Sequence, residues 1–308
     1  MVERRFEQAA RQALRGVLRA FDRSPREQDA TGAEARVALN RPVMIAAFEG
    51  WNDAGDAASY ASNYLAQTWG AEPLAEIDPD EFFDFTEVRP EASVLDGGSR
   101  RILWPTTAFS LIPGVVGARD IVLVRGPEPQ LRWRTYCAAL IELAKGLGVE
   151  RVITLGAYLG EVTHTRPTPV TASSSDPALA DRYSLAPSRY EGPTGIVGVL
   201  AAALAEASIP TISVWASVPC YSLPVSPKAA LALVRVATRL SGREVDLAEL
   251  EEDAAEYEEK MDELVADDEN VAAYVARIEE MEQVVGSELS AEGLAEEIER
   301  YLRNNKSS

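Results

Sequence analysis

Pro42-Val-Met-Ile-Ala-Ala-Phe-Glu49 is a short apolar run, closed by Gly50-Trp-Asn-Asp-Ala-Gly-Asp56 and followed by a helical pattern over about 54–68. A continuous apolar run of this length fits a strand covered on both faces rather than one with a wet side. Runs of the same kind return at Asp120-Ile-Val-Leu-Val-Arg125, Arg151-Val-Ile-Thr-Leu-Gly156 and Thr211-Ile-Ser-Val-Trp-Ala216. Helical patterns over about 130–147 and 195–208 lie among them, and one over 226–241 follows the last. Strand and helix in alternation predict a three-layer α/β/α sandwich around a mostly parallel sheet. The stretch 73–110, punctuated by Pro90, Gly97, Gly98 and Pro105, is less regular and reads as hairpins or edge strands.

Beyond Ser241-Gly242 the period changes. Leu247, Leu250, Ala254, Tyr257, Met261 and Leu264 follow a heptad-like stripe, which Val271, Tyr274, Ile278, Met281 and Val285 repeat. Asp268 occupies a slot where an apolar residue is due, and a buried aspartate would be costly, so two helices are expected to meet at a turn there. Ser290 is a suitable cap for a third helix carrying Leu294, Ile298, Tyr301 and Leu302. Charge changes at the same place. Residues 242–308 hold six basic and 22 acidic side chains, net −16, against −5 for 41–241 and +2 for 1–40. Such a concentration marks a solvated module. Residues 3–21 make an amphipathic helix with an arginine-rich side, and 23–37 resemble a linker. The expected division is therefore 1–40 as N-terminal helix and linker, 41–241 as the α/β core, and 242–308 as an acidic helical domain.

The 308 residues carry a net charge of −19, which disfavours nucleic acid because phosphate contacts supply most non-specific affinity. No apolar run is long enough to span a membrane and no signal-peptide core is present, so the expected location is the cytoplasm. Cys137 and Cys220 are the only cysteines and His164 the only histidine, which leaves no disulfide framework and no cysteine or histidine metal set. There is no GxSxG, SxxK or HExxH motif, and no Walker A sequence or GxGxxG after a strand. No cofactor is implied.

Candidate site residues gather where open α/β sheets bind ligands, at the carboxyl ends of the strands. Glu49, Trp51, Asn52, Asp53 and Asp56 follow the first strand, and Glu128 and Arg132 follow the second. His164 and Arg166 lie in Thr163-His-Thr-Arg-Pro167 after the third. Asp53, Asp56 and His164 are the candidates for acid–base work, His164 because its ordinary pKa suits neutral pH. Each also has a plain structural reading: carboxylates at a helix start cap free N–H groups, and a lone histidine is commonly a hydrogen-bonded interior residue. Gly192-Pro-Thr-Gly-Ile-Val-Gly198, ahead of a helix, offers backbone N–H groups to an anion.

The order of Gly50-Trp-Asn-Asp-Ala-Gly55, Asp80-Glu-Phe-Phe-Asp-Phe85 with Arg89-Pro90, and His164-Thr-Arg-Pro167 resembles the PAC2 family in its actinobacterial form, over about 40–305. These are proteins similar to proteasome assembly chaperone 2. The resemblance implies an α/β/α core of phosphorylase/hydrolase-like fold, a small C-terminal helical region, and self-association, with a trimer as one form. Two functions from different classes follow. The first is a non-enzymatic interaction or assembly protein with a protein partner, linked through the resemblance to proteasome assembly. The alternative is a hydrolase- or phosphorylase-like enzyme acting on a small molecule at the Glu49/Asp53/His164 mouth.

Overall fold

Within Val43–Glu49, residues Val43, Ile45 and Ala47 enter one apolar cluster and Met44, Ala46 and Phe48 enter another, and all six are buried. Side chains of a strand alternate between the two faces of its sheet, so an unbroken apolar run here means a core on each side. Full burial of each Ile, Met or Phe contributes about 1.5 to 3 kcal/mol relative to exposure.

The computed structural model describes residues 39–95, 98–114 and 118–281. In chain order the elements are β1 (Val43–Glu49), α1 (Ala57–Thr68), β2 (Glu72–Ile77), β3 (Glu91–Val94), β4 (Arg100–Leu103), β5 (Thr107–Ile112), β6 (Ile121–Pro127), α2 (Trp133–Gly146) and β7 (Arg151–Gly160). They continue with β8 (Val170–Ser173), α3 (Pro177–Tyr183), α4 (Ile196–Glu206), β9 (Thr211–Pro219), α5 (Pro227–Ser241) and α6 (Ala248–Asp267). Helical backbone resumes over 269–281. The amphipathic pattern at 3–21, the linker at 23–37 and the third C-terminal helix from Ser290 lie outside the described residues.

Seven strands form one sheet in the order β2-β5-β6-β1-β7-β9-β8. The inner four, β6, β1, β7 and β9, are mutually parallel, while β2, β5 and β8 add antiparallel edges. A separate β3–β4 hairpin occupies the irregular region. The parallel strands are the four apolar runs of the sequence, and β7 and β9 extend beyond their expected ends to Gly160 and Pro219.

Helices α1 and α5 cover one face, contributing Ala58, Ala61 and Leu65 and Leu233, Val234 and Ala237. Helices α2 and α4 cover the other, with Tyr136, Leu140 and Leu143 and Ile196, Leu200 and Leu204. The chain thus leaves β1 for one face, whereas the neighbouring β6 leads to α2 on the opposite face. Their loops part at the carboxyl end of β1, which opens a crevice there.

The acidic helices pack against the first layer. Leu250 and Ala254 of α6 join the cluster under α1 and α5, and Tyr257 and Met261 are also buried. Asp268, which breaks the heptad stripe, has extended backbone, and its carboxylate accepts from the N–H groups of Asn270 and Val271. The expected turn is present, with the aspartate capping the next helix.

Candidate functional site

The loop after β1 is held down by its backbone before any side chain acts. The carbonyl of Asn52 accepts from Ala157 N–H at 2.7 Å, which adds one rung between Asp53 and β7, and Glu128 N–H donates to the Glu49 carbonyl at 3.0 Å. These two bonds bring the loops after β1 and β6 to the same spot.

Glu128 then links three elements. Its Oε1 accepts from Asn52 Nδ2 at 2.7 Å and from the backbone N–H of Ile196, in the first turn of α4, at 2.7 Å. The N-terminus of α4, expected to be open to an anion, is thereby satisfied by a carboxylate of the chain itself. The approach is tight: a Cβ on Gly195 would sit 2.3 Å from Asn52 Nδ2 and 2.6 Å from Glu128 Oε1, so no larger residue fits without displacement. Asn52 is buried, and its Oδ1 has no hydrogen-bond partner.

Asp53 is buried beside it. Its Oδ1 accepts from Ala58 N–H at 2.6 Å and, more weakly, from Ser59 N–H at 3.3 Å, so it caps α1 from outside the helix. Burial raises its carboxyl to about 6, against the lowering effect of those hydrogen bonds. Desolvation also raises Glu49, with the nearby Asp56 adding to it. Asp56 itself is exposed and has left-handed backbone, φ +47°. Arg132 faces outward to Glu81 at 2.5 Å, with its guanidinium 6.0 Å from the Phe82 ring. Trp51 is exposed.

His164 keeps different company. It is 2% exposed; its Nδ1 lies 2.8 Å from the Tyr221 hydroxyl and its Nε2 3.0 Å from Oδ1 of Asp262 on α6. The ammonium of Lys228 donates to the His164 carbonyl and pairs with Glu258 of α6 at 2.5 Å. Thr165 donates to Glu279, Ser222 bonds Tyr257, and Cys220 Sγ lies 3.0 Å from the Tyr274 hydroxyl. On α1, Tyr60 donates to Asp253 at 2.6 Å and Tyr64 to the Asp246 carbonyl. This is a polar seam by which the core holds the acidic helices.

Glu49, Asn52, Asp53, Asp56 and Glu128 therefore converge, while His164 and Arg166 make no hydrogen bond to them among the described residues. The link between the two groups is indirect, through the start of α5: Ser226 N–H donates to the Gly55 carbonyl, and Lys228 reaches His164. Among the described residues the mouth holds one buried carboxylate, Asp53, and one buried amide, Asn52, but neither a nucleophile–base pair nor a group of side chains spaced for a metal ion. Tyr221, Lys228, Asp253, Glu258 and Asp262 are the seam residues that motif reading does not find, since each is defined only by a partner distant in sequence.

Fold and site together define an α/β sandwich protein whose strand-end loops are cross-tied by buried polar groups and whose helical extension is clamped to the core. The model of the PAC2 family matches residues 47–265, and the chain belongs to that family. A PAC2 family protein from Streptomyces avermitilis is 50% identical, with 76% of this chain and 99% of that one covered and a TM-score of 0.71. A proteasome-assembly chaperone homologue from Mycobacterium tuberculosis is 43% identical over 76% and 99%, with a TM-score of 0.69. A second M. tuberculosis protein, of unknown function, is 26% identical over 88% and 95%, with a TM-score of 0.74. No curated protein matches the chain significantly. No helix among the described residues is long and apolar enough to cross a membrane.

Proposed function

We propose that this chain is a non-enzymatic interaction protein of the assembly-chaperone kind, with a core at 41–241 that self-associates and an acidic module at 242–308 that meets a basic surface of a proteasome subunit. One observation carries the reading. The polar groups of the mouth are engaged in holding loops and helices together, while Trp51, Leu131, Tyr158 and Leu159, at the same ends of the parallel strands, are 44 to 62% exposed. Large apolar side chains grouped at one end of a sheet mark a contact surface rather than a reaction site. The name of the M. tuberculosis relative, a proteasome-assembly chaperone homologue, supplies the partner class.

The test uses the full chain with purified proteasome α-subunits, read by native electrophoresis and by analytical ultracentrifugation. The expected result is a defined oligomer that binds the α-subunits. Neutralising the exposed acids of α6 in Glu252→Gln/Glu259→Gln/Glu263→Gln should weaken binding without altering the oligomer. Absence of any complex under conditions where the protein is folded and oligomeric would reject the proteasome link; a strictly monomeric chain would reject the self-association.

Small-molecule chemistry at the mouth is the second reading, favoured by the buried, unpartnered Asn52 Oδ1 beside an Asp53 that titrates at about 6. A ligand that donates to Asn52 and shifts the Asp53 titration in NMR would support it.

A further inference from the structure

The opposite end of the parallel strands carries a charge pattern that an acidic chain does not lead one to expect. Arg41 precedes β1, Arg119 precedes β6, and Arg151 opens β7, while Arg182 and Arg239 stand in the last turns of α3 and α5. All five line one cavity of about 330 Å³, together with Tyr183. That volume is at the lower end of small-ligand sites, about 300 to 1,000 Å³. No carboxylate lines it among the described residues.

Two of the arginines share one nearby negative charge, since Glu150 pairs with Arg41 at 2.9 Å and with Arg119. Among the described residues Arg151, Arg182 and Arg239 have no carboxylate within ion-pair distance. Arg151 is 6% exposed; one terminal nitrogen donates to the Leu240 carbonyl at 2.6 Å, and its Nε has no partner. Tyr183 sits between two of the charges, its ring 5.9 Å from the Arg151 guanidinium carbon and 5.4 Å from that of Arg182. Burial foremost holds the Arg151 guanidinium below its ordinary value; Tyr183 and Glu150 oppose the shift, and the like charges of Arg119 and Arg182 add to it.

Helix ends explain part of this. Cations in the last turns of α3 and α5 complement the helix dipoles, and Arg151 satisfies a free carbonyl of α5. That accounts for the position of each arginine but not for a buried guanidinium edge left without an acceptor, which is costly. Nor does it account for a cavity that keeps the like charges together.

We propose that this arginine-lined cavity is a binding site for a phosphate-bearing small anion. Guanidinium forks match phosphate oxygens two at a time, and Arg182 and Arg239 bring exposed forks with no ion-pair partner among the described residues. An extended polyanion is disfavoured because the chain as a whole carries −19 and would repel whatever projects beyond the cavity.

Isothermal titration of the full chain with pyrophosphate, against sodium chloride of matched ionic strength, tests the site. Saturable binding is expected. It should weaken about tenfold or more in Arg182→Gln/Arg239→Gln, as when charge-assisted hydrogen bonds are lost. Both side chains are exposed, so the variant is expected to fold. Arg235→Gln, which removes an exposed arginine paired with Glu251 outside the cavity, should bind as the parent chain does. AMP and inorganic phosphate form two further arms: tighter binding of AMP assigns an organic phosphate, and equal affinity assigns the free ion. Heats no larger than those of the chloride control, or undiminished binding in the double variant, would overturn the proposal.

Discussion

Asp53 combines two demands that pull against each other. Its carboxylate caps α1, yet burial raises its pKa from 3.8 to about 6. As pH falls, the folded chain therefore takes up this proton before the unfolded chain does. The ionised form penalises the fold at pH above about 6, and the penalty is relieved on descending through that value toward the unfolded pKa. Its full size is about 2 to 3 kcal/mol. Asp53→Asn keeps an oxygen for Ala58 N–H and removes the charge. It is expected to raise the urea midpoint at about pH 8 and to match the parent near pH 4. A loss at about pH 8 that disappears near pH 4 would instead make the charge itself necessary to the cap. Gly195→Ala places a methyl against Asn52 and Glu128, with an expected cost of about 1 to 3 kcal/mol from overpacking. The same change in an Asn52→Ala background should cost less, and calorimetry of the four chains reads the coupling.

Between elements, the His164 seam decides whether the acidic helices stay on the core. His164→Ala removes a buried imidazole and its bonds to Tyr221 and Asp262, while the Tyr221 hydroxyl keeps the residue-164 N–H, and is expected to cost about 1 to 3 kcal/mol. Asp262 is 71% exposed, so its own coupling to His164 should be only about 0.5 to 1 kcal/mol in a double-mutant cycle. Limited proteolysis supplies the independent reading: cleavage within 242–270 should accelerate in His164→Ala, and unchanged rates would mean the apolar stripe alone holds the helices. The four parallel strands were legible because runs covered on both faces write their burial into consecutive letters, as Val43 to Phe48 do. The turn at Asp268 was legible because a charge interrupted a period. His164 with Asp262 was not, because the two are 98 positions apart and no local pattern joins them. Motif spacing placed His164 with Asp53, since both follow strand ends; packing against α6 gave it another partner.

For the whole molecule, charge is distributed along the sheet axis and along the chain in opposite senses. The arginine cavity lies at the amino ends of the strands, whereas −16 is gathered in 242–308. Like charges on the docked helices repel at low ionic strength, so moderate salt should raise the urea midpoint of the full chain by screening over a Debye length of about 8 Å. A midpoint that falls with salt would mean that ion pairs such as Lys228–Glu258 outweigh that repulsion. The two cysteines differ in a way that gives these experiments an optical readout. Cys137 is buried and its thiol is raised to about 12 by burial, while Cys220 is exposed and touches Tyr274 on the helix over 269–281. At neutral pH a maleimide dye will therefore attach at one position in the native chain. That position is the joint itself, so its fluorescence reports in real time whether the acidic helices are seated or released.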